Sequence, residues 1–476
     1  MILKRFYDET LAQASYMIAC EAAREAIVFD PGLDTDIYLR AAAAERLHIA
    51  HVTETHIHAD FVSGAAELAR AADAKLHLSA EGGTEWGYVI DSDRNVERLH
   101  DGDVISAGSV AVSALHTPGH TPEHLTFLVT DEERGAEPVG AITGDFIFVG
   151  DVGRPDLLER AAGATGSMES AARDLHRSLQ RFLSRPDHIQ LWPGHGAGSA
   201  CGKALGAMPA STLGYEKRFN WAFAEKSEDA FVSKVLAGQP VPPRYFAEMK
   251  RRNRHAEVPP PIRDPRKRDP KALAGALATG ATVIDTRAAA VFAKGHVRGA
   301  INIPASKSFL NWVGSVVPYD REVFLITDSP SREAVKAIVR SLRRIGISRV
   351  GGYFAADAVA ESSSSPAGQE QVTQLSATAL HGLKRGAAQV VDVRAAHEWE
   401  AGHLPGAIHI PLAALPERMS ELDGARPVVL HCKGGGRSSI AASLLQARGV
   451  ADVANLEGGF DAWEAAGFEV ERDKSR

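Results

Sequence analysis

Thr55-His56-Ile57-His58-Ala59-Asp60-Phe61 is the stretch on which the reading of this chain turns. It closes the strand-like run His51 to Thr55, which delivers His56 at its tip. Two imidazoles and a carboxylate within five residues are metal-competent side chains. Phe61 stands where one more imidazole would complete a two-metal set, and a phenyl ring cannot ligate. The stretch therefore favours one metal over two. A single metal held by two His and one Asp moves the chemistry from hydrolysis towards oxygen activation by iron.

The pattern recurs further along the chain. Ala26 to Asp30 reads as a strand ending in Asp-Pro-Gly. Val110 to Leu115 leads to His120, Val139 to Thr143 leads to Asp145, and Ile189 to Trp192 leads to His195. A lone His is usually a packing residue. Four metal-competent residues or clusters, each after a strand, are hard to explain as packing.

The segments Thr55 to Asp60, Thr117-Pro118-Gly119-His120-Thr121, Thr143-Gly144-Asp145 and Pro193-Gly194-His195 resemble the metallo-β-lactamase fold. Within it, Gly153-Arg154-Pro155-Asp156 is similar to the G-R-x-D segment of persulfide dioxygenases, more than to glyoxalase II. The resemblance implies an αββα sandwich with one Fe(II) per chain on His56, His120 and Asp145. It leaves His58, Asp60 and His195 in supporting roles that orient the ligands. A zinc thioester hydrolase of glyoxalase II type, with its metal on His56, His58 and His120, is the alternative. Arg154 could hold the anionic tail of a thiol cosubstrate, or form an ion pair with Asp156 or Asp151. His124 reads as a satisfied His, either structural or supporting a ligand. Cys201, in the glycine-rich run after His195, either meets the persulfide substrate or is a quiet buried thiol; Lys203 could lower its pKa.

A second chemistry lies near the C-terminus. Val428-Val429-Leu430-His431 is followed by Cys432-Lys433-Gly434-Gly435-Gly436-Arg437-Ser438: a strand, a tight loop and a helix start. Backbone N–H groups curled inward at a helix N-terminus would stabilise a thiolate or persulfide on Cys432, with Lys433 and Arg437 adding positive charge. The loop, with Asp392-Val393-Arg394, Glu398, Gly402 to Ala407 and Gly458 to Trp463, looks like a rhodanese domain. Only four residues separate Cys432 from Arg437, one fewer than in the C-x₅-R loops of cysteine phosphatases, which favours sulfur over phosphate.

This domain is the second copy of a repeat. Val283-Ile284-Asp285-Thr286-Arg287 recurs at Asp392 and Arg394 with a shift of 107 positions; His296 matches His403 and Pro304 matches Pro411 in the same register. Each copy starts with a β-branched run and later carries a helix-like stretch, Ser331 to Ile345 and Ser438 to Arg448. The first copy has Thr327 where the second has Cys432, followed by Asp328, so it cannot carry a persulfide.

The expected organisation is multidomain α/β: residues 1–248 as the metallo-β-lactamase-type domain, 249–270 as a basic Pro-rich linker, 271–356 as the Cys-less rhodanese, 357–374 as a second linker around Ser362 to Ser365, and 375–476 as the active rhodanese. The 476-residue length fits several cores. A net charge of −7 argues against nucleic-acid partners. The first ten residues carry no signal-peptide pattern, and no apolar run suits a membrane span. Three cysteines in so long a chain suit a reducing cytoplasm.

The chain resembles, over essentially its full length, bacterial persulfide dioxygenase–rhodanese fusions. The resemblance implies oxidation of a glutathione, coenzyme A or similar small-thiol persulfide by O₂ to thiol and sulfite. It also implies sulfur transfer through Cys432 that makes or consumes thiosulfate, in sulfide detoxification. A domain without chemistry hints at an interface role and hence a homo-oligomer.

Overall fold

The computed structural model describes residues 1–90, 95–162, 166–203, 205–260, 264–328, 331–362, 368–384 and 386–472. The chain divides into two compact units, Met1–Pro260 with Arg343–Gly346, and Pro261–Leu342 with Ile347–Arg476.

Two six-stranded sheets build the first unit. Strand Gln13–Cys20 shows how they stack, because it is buried on both faces. Tyr16 and Ile18 point between the sheets with Phe29, Val112, Phe127 and Ile142. Met17 and Ala19 point the other way, under helices Asp36–Ala44 and Ala65–Ala72. That is the two-residue period of a strand with an apolar layer on each side. Phe29 and Phe127 meet edge to face at 5.4 Å between the sheets. Helices Ser167–Phe182 and Glu228–Leu236 cover the outer face of the second sheet through Leu175, Leu179 and Phe231. The result is the expected αββα sandwich.

The strands end where chemistry was expected. His48–Thr53 runs parallel to Glu25–Phe29 and leads to His56. Val110–His116 precedes His120, Gly140–Gly144 precedes Asp145, and Gln190–Pro193 precedes His195. Gly140–Gly144 and Gln190–Pro193 are parallel neighbours, so Asp145 and His195 leave one sheet at the same end.

The second unit contains two parallel sheets of one design. The first orders its strands Ile301–Asn302, Thr282–Asp285, Val323–Thr327, Val350–Ala355. The second orders them Ile408–His409, Gln389–Asp392, Val428–His431, Val453–Leu456, with Thr373–Leu375 added at the edge. Internal details repeat too. Arg287 bonds Asp285 at 2.6 Å and donates to the Gly295 carbonyl; Arg394 bonds Asp392 at 2.6 Å and donates to the Gly402 carbonyl. His296 stacks on Phe292 at 3.8 Å and His403 on Trp399 at 3.6 Å. The two copies also touch. The Asn302 backbone N–H donates to Ser443 Oγ at 2.9 Å, and Ser439 Oγ donates to its side-chain oxygen at 3.2 Å. Both serines lie on helix Gly436–Ala447, which begins in the Cys432 loop.

Both expected linkers need correction. Helix Tyr245–Arg254 continues through the start of 249–270, with Tyr245, Phe246, Met249 and Asn253 buried along one stripe. Apart from Lys250, whose Nζ is buried, its basic residues lie at or near the surface, which made an amphipathic helix read as a solvated charge run. In 357–374, Asp357–Ser362 is helical, Gln369–Glu370 pairs with His296–Val297, and Thr373–Leu375 is a sheet edge. Residues 363–367, where most of the serine run falls, lie outside the described residues. No described helix is long and apolar enough to cross a membrane.

Candidate functional site

Proton accounting identifies the metal-facing atoms. Asp30 fixes the residue before His56: Thr55 N–H donates to its carboxylate at 2.6 Å and Thr55 Oγ1–H at 2.9 Å. Having given its proton to Asp30, Thr55 Oγ1 can only accept from His56 Nδ1, 2.9 Å away. His56 therefore keeps a bare lone pair on Nε2. His120 Nδ1 faces the Arg154 carbonyl at 3.0 Å, which accepts only, so its Nε2 is bare as well. Asp145 supplies the anion. Its two oxygens are buried without a hydrogen-bond partner. Asp145 Oδ2 lies 3.9 Å from His56 Nε2 and 3.5 Å from His120 Nε2. Atoms so spaced can share a cation at roughly 2.0–2.2 Å from each. These three residues form one of two metal-competent groups among the described residues.

The electrostatics agree. Burial, then the neighbouring imidazoles, holds His56 well below the usual histidine range; burial and the His124 ring do the same to His120. Both are neutral, as ligands must be. Burial pushes Asp145 up to about 6. A metal ion would reverse that shift.

The expected supporting residues divide. Burial pulls His58 down, but Asp30, at 3.1 Å from Nε2, outweighs it and raises the imidazole to about 9. His58 is thus a cation paired with the carboxylate that anchors Thr55, and it belongs to neither metal-competent group. His124 accepts from the Asp145 backbone N–H at 3.2 Å and hydrogen-bonds Thr117 at 2.9 Å, so it orients Asp145. Asp60 and His195 lie 3.3 Å apart, and His195 Nε2 is 3.4 Å from the other Asp145 oxygen. The structure adds Cys201 to this pair, making the second metal-competent group. Phe61 packs on the His58 ring at 4.5 Å and donates nothing, but a thiol now stands beside Asp60 and His195.

Two open readings narrow here. Arg154 is fully buried and bonds Asp156 through both oxygens at 2.8 and 2.7 Å. Its remaining donors reach the Ala200 and Pro240 carbonyls. Four of its five N–H donors are taken in this way, and of its two readings the ion pair with Asp156 is the one the structure forms. Cys201 is not activated by Lys203, whose ammonium donates to the Lys234 and Ala237 carbonyls. Burial, with Asp60 and Asp145 nearby, pushes the Cys201 thiol well above its ordinary range.

In the second unit, Cys432 Sγ accepts from Gly435 N–H at 3.1 Å and Ser438 Oγ at 3.5 Å. Arg437 is clamped by Glu398 through two bonds of 2.6 and 2.7 Å. Burial would raise Glu398, but the Arg437 bonds and the Ala395 N–H override it and hold the carboxyl at about 2. Lys433 is exposed at the rim. In the first copy Thr327 takes the cysteine position, and Arg332 pairs with Asp264 rather than with a loop.

Gly459 supports the Cys432 loop from below. A Cβ there would stand 2.4 Å from the Cys432 carbonyl and 2.5 Å from that of Lys433, and its φ is +58°. Gly459→Ala is expected to displace the loop, destabilising the domain by about 1–3 kcal/mol and lowering sulfur transfer at least ~10-fold. Thiosulfate formation measured beside thermal unfolding checks this.

The described side chains missed from sequence include Glu123, whose carboxylate accepts from Ile57 N–H at 2.8 Å and so holds the metal loop, and Lys250, whose Nζ is buried. Neither carries a local signal: Glu123 sits in an ordinary turn and Lys250 in the basic run.

Comparison with known proteins matches this architecture. The metallo-beta-lactamase superfamily profile matches residues 9–195, and the rhodanese-like domain profile matches 269–355 and 376–466. A crystal structure of a metallo-beta-lactamase from Staphylococcus aureus is 42% identical, superposes with a TM-score of 0.68, and covers 74% of this chain and 99% of its own. A probable metallo-hydrolase of Burkholderia pseudomallei is 28% identical over 259 residues, 49% of this chain and 84% of its own. A probable polyketide biosynthesis zinc-dependent hydrolase of Bacillus velezensis is 25% identical over 211 residues, 44% of this chain and 84% of its own. The chain belongs to the metallo-β-lactamase superfamily and carries two rhodanese-like domains behind its metallo-β-lactamase domain.

Proposed function

We propose that the first unit is a mononuclear iron persulfide dioxygenase and that Cys432 carries sulfane sulfur in the second. The observation that carries the reading is the donor set: two neutral imidazoles and one carboxylate, with bare atoms facing a common point. Such a set suits Fe(II), which would supply oxygen activation and a site for the persulfide sulfur. The overall change is R–S–SH + O₂ + H₂O → R–SH + SO₃²⁻ + 2 H⁺, in which sulfur loses the four electrons that O₂ gains. In that reaction Asp30, through Thr55, keeps His56 in the ligand tautomer. Arg154 does the same for His120 through its carbonyl, and His124 aims Asp145. Cys432 takes sulfane sulfur from a second persulfide, Cys–S⁻ + R–S–SH → Cys–S–SH + R–S⁻, and passes it to sulfite: Cys–S–SH + SO₃²⁻ → Cys–S⁻ + S₂O₃²⁻ + H⁺. The carrier R–SH is glutathione, coenzyme A or a similar small thiol. The three cysteines are all unpaired, which suits a reducing compartment.

A zinc hydrolase is the second reading. Two observations favour it: the hydrolase names of the Burkholderia and Bacillus relatives, and the Asp60–His195–Cys201 group, which offers donors for a second ion. The deciding experiment is O₂ uptake by anaerobically purified, iron-loaded protein given glutathione persulfide, with metal analysis of the same sample. Uptake that tracks one iron per chain and vanishes in His120→Ala is expected. No uptake, with one or two zincs bound and thioester hydrolysis present, would establish the hydrolase.

A further inference from the structure

Lys250 is the one long cation among the described residues whose buried Nζ has no hydrogen-bond partner. It lies on helix Tyr245–Arg254, which is pinned against the metal loop. Asn253 donates to the His58 carbonyl at 2.8 Å and to the Phe61 carbonyl at 2.7 Å, and accepts from Ser63 N–H at 2.9 Å. Lys250 precedes Asn253 by three residues, so it leaves the same face of the helix, one turn back. The groups whose charge it feels are Glu123, in the turn between His120 and His124, and Cys201; His120 in turn feels Lys250. Its Nζ is thus buried on the side of the helix that meets the metal loop.

A lysine in this position is unusual. Long cations normally reach out to water or pair with a carboxylate. Lys250 does neither: Glu123 is near enough to act on it but forms no ion pair with it. An uncompensated buried ammonium is costly, so stability does not account for it. A compact ammonium with three donors suits a small anion better than the flat fork of an arginine would.

We propose that Lys250 is the anion-receiving group of the metal pocket and holds a small sulfur anion, the persulfide sulfur on entry or sulfite after oxidation. The identity of the anion rests on the dioxygenase reading; the existence of the site does not.

The test uses full-length, metal-loaded protein in a Cys432→Ser background, which silences transfer in the second unit. Sulfite is the probe. It should raise the thermal midpoint of the parent, and Lys250→Met should weaken sulfite binding at least tenfold, with Lys250→Arg recovering only part of the loss. In sulfite-free buffer Lys250→Met should unfold no earlier than the parent. Steady-state O₂ uptake separates the two anions. A raised KM for glutathione persulfide places Lys250 on the substrate, and relieved product inhibition at unchanged KM places it on sulfite. If O₂ uptake is absent but sulfite still binds through Lys250, the site stands and only the dioxygenase reading falls. The proposal is overturned if Lys250→Met binds sulfite as the parent does, or if it unfolds well below the parent in sulfite-free buffer.

Discussion

Cys432→Ser is expected to bring the conversion of persulfide and sulfite into thiosulfate down to background, a loss on the order of 10³-fold or more. No other cysteine can substitute: Cys20 and Cys201 belong to the first unit, and the first rhodanese copy has Thr327 in that place. A serine hydroxyl is smaller than the thiol, so it fits the loop, but it cannot carry sulfane sulfur. The cradle would survive the change. Arg437 is held by Glu398 and Gly459 packs under the loop carbonyls, and neither depends on Sγ. Folding and metal content should therefore match the parent, and O₂ uptake with glutathione persulfide should persist, with free sulfite accumulating in place of thiosulfate. Thiosulfate still forming at the parent rate would remove Cys432 from the reaction.

Arg154→Ala should have the largest effect on stability. It removes a guanidinium with no exposure and leaves the Asp156 carboxylate buried, with the Ala200 and Pro240 carbonyls bare. Breaking a buried pair in this way costs about 3–5 kcal/mol. Arg160, 3.2 Å from Asp156 but partly exposed, recovers only part of that. At roughly 2–4 °C per kcal/mol for a domain of this size, the first unit should unfold about 6–20 °C earlier. Arg154→Lys should rescue little, because an ammonium cannot bond both carboxylate oxygens and two carbonyls in one plane. Calorimetry beside a KM for glutathione persulfide separates the roles. A stable variant with a weakened KM would return Arg154 to the substrate.

The contrast between Arg154 and His56 shows what a sequence can convey here. His56, His120, Asp145 and His195 each follow a strand rich in β-branched or apolar residues, so their convergence was legible from topology alone. The duplication was legible because Asp285/Arg287 and Asp392/Arg394 are separated by the same single residue and form the same bond. Arg154 was ambiguous because both of its roles use the same motif; only burial and four satisfied donor contacts distinguish them. The inference from Phe61 was incomplete for a related reason. The loss of an imidazole is visible in sequence, but the arrival of Cys201 beside Asp60 and His195 needs the three-dimensional path of a glycine-rich loop. Helix Tyr245–Arg254 was hidden because its charges outnumber the buried stripe beneath them.

The bond from Asn302 to Ser443 bears on how such a chain can be remodelled. Duplicated domains can be separate parts, each with its own core. Here the copy without a cysteine props the helix that rises from the Cys432 loop, through a buried asparagine meeting two serines. A recombination breakpoint in the stretch between the two matched regions, 355 to 376, would strip that helix of its support and expose its serine face. The two copies are thus mechanically one part.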